Sequence, residues 1–137
     1  MTSRFITHDD YGLLAESLKN DEYHKGTSPE FFYEEGTVTL VYSDEEGIVL
    51  FARGKPLVHE GVTAIQLDLQ YVSNTSTKRN MKVMAEGFPD LEAKALENGF
   101  SAFFFFSDVP LLRKFCCRRL GFSELGNDVL VKVLQEA

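Results

Sequence analysis

Hydrophobic and polar residues alternate most clearly over residues 64–72. The apolar side chains fall at odd-numbered positions, namely Ile65, Leu67, Leu69 and Tyr71. The polar side chains fall at even-numbered positions, namely Gln66, Asp68 and Gln70. Because successive side chains of a strand point to opposite faces, this pattern predicts a strand with one buried and one polar face. The polar face needs partners, which are either other side chains or a ligand.

The segments that follow this strand predict a βαβα unit. A polar loop over residues 73–78 precedes a helical pattern over residues 79–98. The aromatic run at residues 100–106 is apolar on both faces, as in a strand that helices cover on each side. A second helix then ends near Gly121. Units of this kind place a ligand site at the loop after the first strand, so we expect the functional site there.

The first half of the chain predicts helices and a hairpin. We expect a helix over about residues 8–19 and a short helix that begins at Ser28-Pro29. Residues 37–43 and 48–53 are predicted to form the two strands of a β-hairpin. Gly54-Lys55-Pro56 is expected to end the second of them. Further on, residues 129–134 predict a last strand, and Gly87 with Pro89 predicts a kink or short break in the central helix.

Length and charge exclude several classes of protein. The 137 residues, 44% of them hydrophobic, are expected to form one domain over residues 1–137. A net charge of −7 argues against a general nucleic-acid binder, whose affinity comes from Lys and Arg. We expect no signal peptide and no membrane span, because the longest apolar run covers only residues 102–106.

The cysteine pattern indicates reduced thiols. Cys116 and Cys117 are adjacent, and neighbouring cysteines rarely pair with each other. A chain with free thiols and no signal peptide is expected in the cytoplasm. No histidine is close to them in sequence, so no metal site is predicted.

The order of the predicted elements resembles the GNAT (GCN5-related N-acetyltransferase) fold, an α/β fold with a mixed central sheet flanked by helices. Leu120-Gly121-Phe122 resembles the Leu-Gly-Phe that closes the last helix of that family. Glu97-Asn98-Gly99-Phe100 resembles the turn from its central helix into the next strand. The polar loop and the Gly-Phe-Pro of the central helix are also similar to divergent, phage-like members of the family.

The resemblance implies a site for acetyl-CoA at the start of the central helix. The family motif Arg/Gln-x-x-Gly-x-Gly/Ala, which holds the pyrophosphate, aligns with residues 79–84. Arg79 matches the first position and is expected to bind phosphate with Asn80. Lys82 and Met84 stand where the family has glycine, and their side chains are expected to hinder close approach of a phosphate. Lys82 offers a point charge to phosphate instead.

The resemblance also implies catalytic positions. A backbone N–H near Tyr71, Val72 or Ser73 is expected to stabilise the oxyanion. Cys117 stands where many members have the tyrosine that protonates the leaving thiolate. Asp68 is either the general base or a hydrogen-bonded polar residue on a half-open strand, and Glu60 and His59 compete with it for the role of base.

Two hypotheses follow from these residues. The first is an acyl-CoA-dependent N-acetyltransferase that acts on an amine of a small molecule or a peptide. The alternative is a GNAT-fold binding or structural protein without catalysis, such as a virus-encoded one, which the missing glycines and tyrosine favour. The sequence leaves the acceptor and the oligomeric state open. His24 and Tyr23 lie where the family builds its acceptor pocket, but their context indicates an exposed loop.

Overall fold

A computed structural model describes residues 1–107, 109–126 and 129–134 of the chain, with the backbone alone at His59. The strands are β1 (Thr2–Phe5), β2 (Val38–Asp44), β3 (Gly47–His59), β4 (Val62–Tyr71), β5 (Ala102–Phe106), β6 (Ser123–Gly126) and β7 (Val129–Val133). The α-helices are α1 (Tyr11–Lys19), α2 (Thr77–Glu97) and α3 (Pro110–Arg119). Short 3-10 turns cover His8–Asp10 and Pro29–Tyr33.

The strands form one mixed sheet in the order β1-β2-β3-β4-β5-β7-β6. The pairing of β4 with β5 is parallel, and the other pairings are antiparallel. The parallel pair is joined by α2, as expected for a βαβ crossover. This arrangement confirms the predicted α/β fold with a mixed central sheet flanked by helices.

The alternation in β4 separates two apolar layers. Its odd-numbered side chains pack with α2 and α3 in a core that includes Leu67, Val83, Phe88 and Cys116. The opposite face carries a smaller cluster in which Leu14 and Leu18 of α1 contact strands β2 and β3. Helices therefore cover both faces of the sheet beside β4, and the polar side chains of β4 lie on the α1 side.

Strand β3 is longer than the sequence indicated. Residues 54–56 do not end it, because β3 continues to His59 and pairs with β4 along its length. Its pairing with β2 stops where Gly54 faces Val38. Pro56 therefore lies beyond β2 on an edge, where a missing backbone N–H removes no ladder hydrogen bond.

Helix α2 runs without a break through Gly87 and Pro89. A Cβ at position 87 would lie 2.8 Å from the ring of Tyr42 on the sheet. Glycine is therefore required at this position by close packing, not by a break in the helix. The helix begins at Thr77, with the Ser76 side chain accepting a hydrogen bond from the Arg79 N–H, so it starts two residues earlier than the sequence predicted.

Over the described residues, no helix combines the length and the apolar composition needed to cross a lipid bilayer.

Candidate active site

Strands β4 and β5 separate halfway along β4. Their pairing covers Ala64 to Leu67 only, whereas β4 stays paired with β3 as far as Tyr71. The last four residues of β4 therefore have a strand neighbour on one side and an opening on the other. This opening lies at the C-terminal end of β4, where the sequence predicted a ligand site.

The opening leads into a cavity of about 400 Å³, which we call the β4 cleft. Residues 69–73 form one wall, and the loop at residues 20–24 forms another. Thr77 and Asn80 of α2 and Leu112 of α3 also contribute to the lining. The β4 cleft therefore joins a strand end, a helix N-terminus and a loop from the opposite side of the sheet.

The backbone of Tyr71 presents its N–H group to the β4 cleft. Val72 donates its N–H to Val49 of β3 at 2.8 Å, and Thr63 accepts a hydrogen bond from Ser101 beside β5 at 2.9 Å. Backbone groups alternate between the two sides of a strand, so odd-numbered residues of β4 face the opening. Tyr71 is thus the predicted oxyanion donor that the geometry favours.

Val72 and Ser73 do not share that position. The Val72 N–H is used by β3, and the Ser73 N–H donates to the Ser17 hydroxyl at 3.2 Å. Both donors already have partners inside the protein, so the geometry favours Tyr71 over them, and their part in oxyanion binding stays a prediction.

Two buried polar atoms beside the cleft have no partner among the described residues: the Tyr71 hydroxyl oxygen and the Asn80 side-chain oxygen. Both residues belong to the lining of the β4 cleft. Burial raises the pKa of Tyr71, and the nearby Cys116 thiol adds to the effect, so the phenol is neutral and able to donate a proton in a hydrogen bond. Unpaired buried polar atoms cost free energy, and a ligand in the cleft would satisfy them.

The start of α2 carries positive charge toward solvent. Lys78 and Lys82 are exposed, one helical turn apart, and neither has an ion-pair partner among the described residues. The helix dipole adds a partial positive charge at the same place. Met84 differs, since it is 3% exposed and packs in the core, so its side chain does not reach the ligand surface predicted for it.

Arg79 is held by an acidic turn. Its guanidinium donates to both carboxylate oxygens of Asp44 at 2.6 and 2.7 Å, and Glu46 lies 3.6 Å away. This bidentate pair fastens the β2–β3 turn to the start of α2. The predicted contact of Arg79 with phosphate would require the guanidinium to leave or share Asp44.

The ion pair of Arg79 with Asp44 predicts a lowered pKa for Asp44 that can be measured. The hydrogen bonds from Arg79 lower the pKa of Asp44 to about 2, from an ordinary 3.8. A carboxyl with a lowered pKa stabilises the fold above its ordinary pKa and loses that contribution as the pH falls through its folded value. In Arg79→Gln we expect an NMR titration of Asp44 to return toward 3.8. Lys94→Gln is the control, and an Asp44 that still titrates near 2 in Arg79→Gln would contradict the pairing.

A second cavity, of about 570 Å³, lies on the α1 side of the sheet and is called here the acidic pocket. Glu30, Glu34, Asp68 and His24 line it. Arg53, 1% exposed, donates to Asp68 and to Glu34 at 3.1 Å each. Three carboxylates against one guanidinium give this pocket a negative potential suited to a cation.

Asp68 belongs to this pocket through its ion pair. Burial raises the pKa of Asp68, and the charge of Arg53 opposes that rise. One carboxylate oxygen is engaged by Arg53, so the side chain is held against the pocket wall. A general-base role for Asp68 stays a prediction.

The other predicted catalytic residues lie apart from the β4 cleft. Glu60 occupies the turn between β3 and β4, with a φ of 50°, at the opposite end of β4 from Tyr71. Cys117 lines a separate surface depression with Arg113 and Phe122. The sequence also predicts Asp108 as the cap of the helix that ends near Gly121. Asp108 and the His59 side chain lie outside the described residues.

The helical turn explains why the cysteines separate. Successive residues of a helix are rotated by about 100°. Cys116 therefore faces the core, and Cys117 faces the surface depression. Burial raises the pKa of the Cys116 thiol to about 12. Neither thiol is therefore placed to act as an acid in the β4 cleft.

Sequence reasoning missed the polar group formed by His24, Gln70 and Asp21. His24 Nδ1 lies 2.6 Å from the Gln70 side-chain oxygen, and Gln70 donates to Asp21 at 3.1 Å. The polar face of β4 was the available signal, because Gln70 needed a partner there. The loop residues that supply one lie 46 and 49 positions away in sequence.

Comparisons with known proteins find structures of similar fold but no match at the level of sequence families or curated sequences. The sequence matches no protein-family model. No curated protein sequence matches it either. Solved structures do match, over nearly the whole chain, and those described next are acetyltransferases.

The chain has the fold of the GNAT acetyltransferases. It is similar to an aminoglycoside 6'-acetyltransferase type Ii at 17% identity and a TM-score of 0.75, covering 100% of this chain and 99% of the other. It is also similar to an aminoglycoside 6'-N-acetyltransferase complexed with coenzyme A, at 13% identity and a TM-score of 0.71, covering 100% of this chain and 99% of the other. A third similar structure is a GNAT family acetyltransferase from Brucella melitensis in complex with acetyl-CoA, at 14% identity and a TM-score of 0.65, covering 98% of this chain and 88% of the other.

Proposed function

We propose that this protein is an acyl-CoA-dependent N-acetyltransferase that transfers an acetyl group to an amine of a small molecule or a peptide. The observation that carries the proposal is the β4 cleft, where β4 leaves β5 and turns the Tyr71 N–H into the opening. Similar folds have been solved with coenzyme A or acetyl-CoA bound. At their low sequence identity, the structural similarity supports the fold alone, and the proposed activity is supported by the β4 cleft.

The residues of the cleft suit a thioester cosubstrate. The Tyr71 N–H would donate to the carbonyl oxygen, where negative charge develops as the amine attacks. The Tyr71 hydroxyl and the Asn80 side-chain oxygen offer a donor and an acceptor to the polar arm of the cosubstrate. Lys78, Lys82 and the N-terminus of α2 would attract its phosphates.

The acidic pocket suits the acceptor. It adjoins the β4 cleft, because His24 and Leu69 line both cavities. An amine is protonated in water, and Asp68, Glu34 and Glu30 would attract that ammonium group. The acceptor would thereby reach the thioester from the α1 side of the sheet.

Binding of acetyl-CoA tests the proposal directly. Isothermal titration should show binding of acetyl-CoA and of CoA by the unmodified chain. We expect the double variant Lys78→Gln/Lys82→Gln to bind about tenfold more weakly, because charge-assisted contacts with phosphate are lost. Lys55→Gln removes one positive charge from β3 outside the cleft and should bind normally. No binding at millimolar acetyl-CoA would refute the proposed function.

A binding protein without catalysis is the second candidate. It is favoured by the ion pair of Arg79 with Asp44 and by the position of Cys117 outside the β4 cleft. The two candidates differ in acetyl transfer to a panel of primary amines that includes an aliphatic diamine and an aminoglycoside. Release of the CoA thiol supports the enzyme, whereas binding without thiol release supports the second candidate.

The proposed reaction belongs in the cytoplasm. Cys116 and Cys117 are both free thiols, and reduced cysteines are typical of that compartment.

A further inference from the structure

Gln70 has only one possible side-chain orientation. Its side-chain nitrogen contacts three acceptors: the Tyr71 carbonyl at 2.8 Å, the Asp21 carboxylate at 3.1 Å and the Ser17 carbonyl at 3.4 Å. A flipped amide would turn its oxygen toward three acceptors that have no proton to give. Gln70 is 1% exposed, so water cannot relieve that conflict. The side-chain oxygen of Gln70 is therefore fixed toward His24.

This orientation fixes the tautomer of His24. Its Nδ1 lies 2.6 Å from the Gln70 oxygen, which has lone pairs and no proton. A hydrogen bond at that distance requires the proton to be on Nδ1. Asp21, with a carboxylate oxygen 3.4 Å from Nδ1, favours the same proton position. In neutral His24 the lone pair is consequently on Nε2.

Because Nδ1 of His24 contacts Gln70, the Nε2 edge of the ring lies on the side away from Gln70. The side chain is 39% exposed and lines both the β4 cleft and the acidic pocket. His24 therefore borders both the cavity proposed for the acceptor and the cavity that contains Tyr71. The loop position that suggested an exposed histidine from sequence is thus a fixed position beside the cleft.

We propose that His24 is the general base of the acyl transfer, with Gln70 and Asp21 as positioning residues that hold its Nε2 lone pair toward the acceptor amine. This inference rests on the proposed function and gives His24 the role for which the sequence analysis offered Asp68, Glu60 and His59. Asp68 then helps to hold the cationic acceptor.

The acceptor is held as an ammonium group, so it first loses one proton to Nε2 of His24, which passes that proton to solvent and leaves a neutral amine to attack. The amine nitrogen forms a bond with the thioester carbonyl carbon, and the carbon–sulfur bond breaks with its electron pair on sulfur. The proton that nitrogen loses passes to Nε2 of His24. The imidazolium returns that proton through solvent to the thiolate, so the products are an amide and a free thiol, and His24 is neutral again.

The tautomer can be measured without any substrate. In ¹⁵N-detected NMR of the whole chain at mildly alkaline pH, where imidazole is neutral, His24 should show a protonated Nδ1 and an unprotonated Nε2. His24→Gln assigns the signals. Gln70→Met should lose the Nδ1–H preference, and Asp21→Ala serves as a second positioning variant if Gln70→Met fails to fold. A proton on Nε2 in the unmodified protein overturns the proposal.

Kinetics then test the role of the lone pair. We expect His24→Gln to lower kcat by about 100-fold with an unchanged KM for acetyl-CoA, since the base does not contribute to cosubstrate binding. His8→Gln is the matched control, because His8 is exposed and stacks on Tyr33 away from both cavities. Full activity in His24→Gln, with an active unmodified enzyme, refutes this proposal alone. Absence of acetyl transfer by the unmodified chain refutes the proposed function, and this proposal with it.

Discussion

Replacing Arg53 with methionine is expected to lower the free energy of unfolding by about 3 kcal/mol, the range for breaking a buried ion pair. The guanidinium is 1% exposed, donates to the Phe31 carbonyl at 2.7 Å and lies 3.6 Å over the Phe31 ring. Its removal leaves Asp68 without a partner in a half-buried place. Chemical denaturation should show a lower midpoint with an unchanged m-value.

A double variant separates the ion pair from packing. Arg53→Met/Asp68→Asn should lose less stability than the sum of the two single changes, because the second change removes the orphaned carboxylate. Lys94→Met is the control, since Lys94 and Asp90 form a surface pair with side chains 40% and 34% exposed. That change should cost less than about 1 kcal/mol. Equal losses in Arg53→Met and Lys94→Met would contradict the interpretation of Arg53.

Gly87→Ala is expected to destabilise the protein by about 1–3 kcal/mol through overpacking. The added Cβ would lie 2.8 Å from the Tyr42 ring. The ring has little freedom to move, because Tyr42 is 2% exposed and its hydroxyl donates to Asp90 at 3.3 Å. Thermal or denaturant unfolding measures the loss.

Gly12→Ala is the matched control for this change. Gly12 also lies in a helix, α1, but a Cβ there meets nothing within 4 Å. Alanine favours a helix over glycine by up to about 1 kcal/mol, so Gly12→Ala should stabilise the protein or leave it unchanged. If Gly87→Ala also stabilised the protein, the contact of α2 with Tyr42 would not explain the glycine.

Arg53 and Gly87 act on opposite sides of the same sheet. Gly87 brings α2 close to strand β2, and α2 carries Asn80 and the two lysines at its start. Arg53 holds Asp68 against the wall of the acidic pocket. Both variants are therefore expected to weaken the proposed site through its framework, and activity should be compared only after stability has been measured.

Local patterns were enough to predict most of the elements. The alternation in β4 identified both of its faces, and Ser28 and Gly121 lie at helix ends as their residue types favour. These signals depend on backbone preferences and on neighbours within a few residues, so the sequence alone contains them. The same reasoning ended β3 too early at residues 54–56, because an edge position for Pro56 depends on how far β2 extends.

The candidate site depended on contacts between distant parts of the chain. Arg79 was predicted to bind phosphate, yet Asp44, 35 residues earlier, holds its guanidinium. Aligning the motif by its arginine also placed Met84 at the ligand, whereas the helix that begins at Thr77 turns that side chain into the core.

The sequence by itself determined that β4 has a polar face, and it predicted a ligand site at the loop that follows. Only the tertiary structure decided which groups meet there: the separation of β4 from β5, the Tyr71 N–H in the opening, and His24 against Gln70. The physical reason is that hydrogen-bond orientation depends on partners brought together by folding. Gln70 needed two acceptors from other segments, Ser17 and Asp21, beside the adjacent Tyr71 carbonyl to fix its oxygen, and that oxygen in turn fixes the proton on His24.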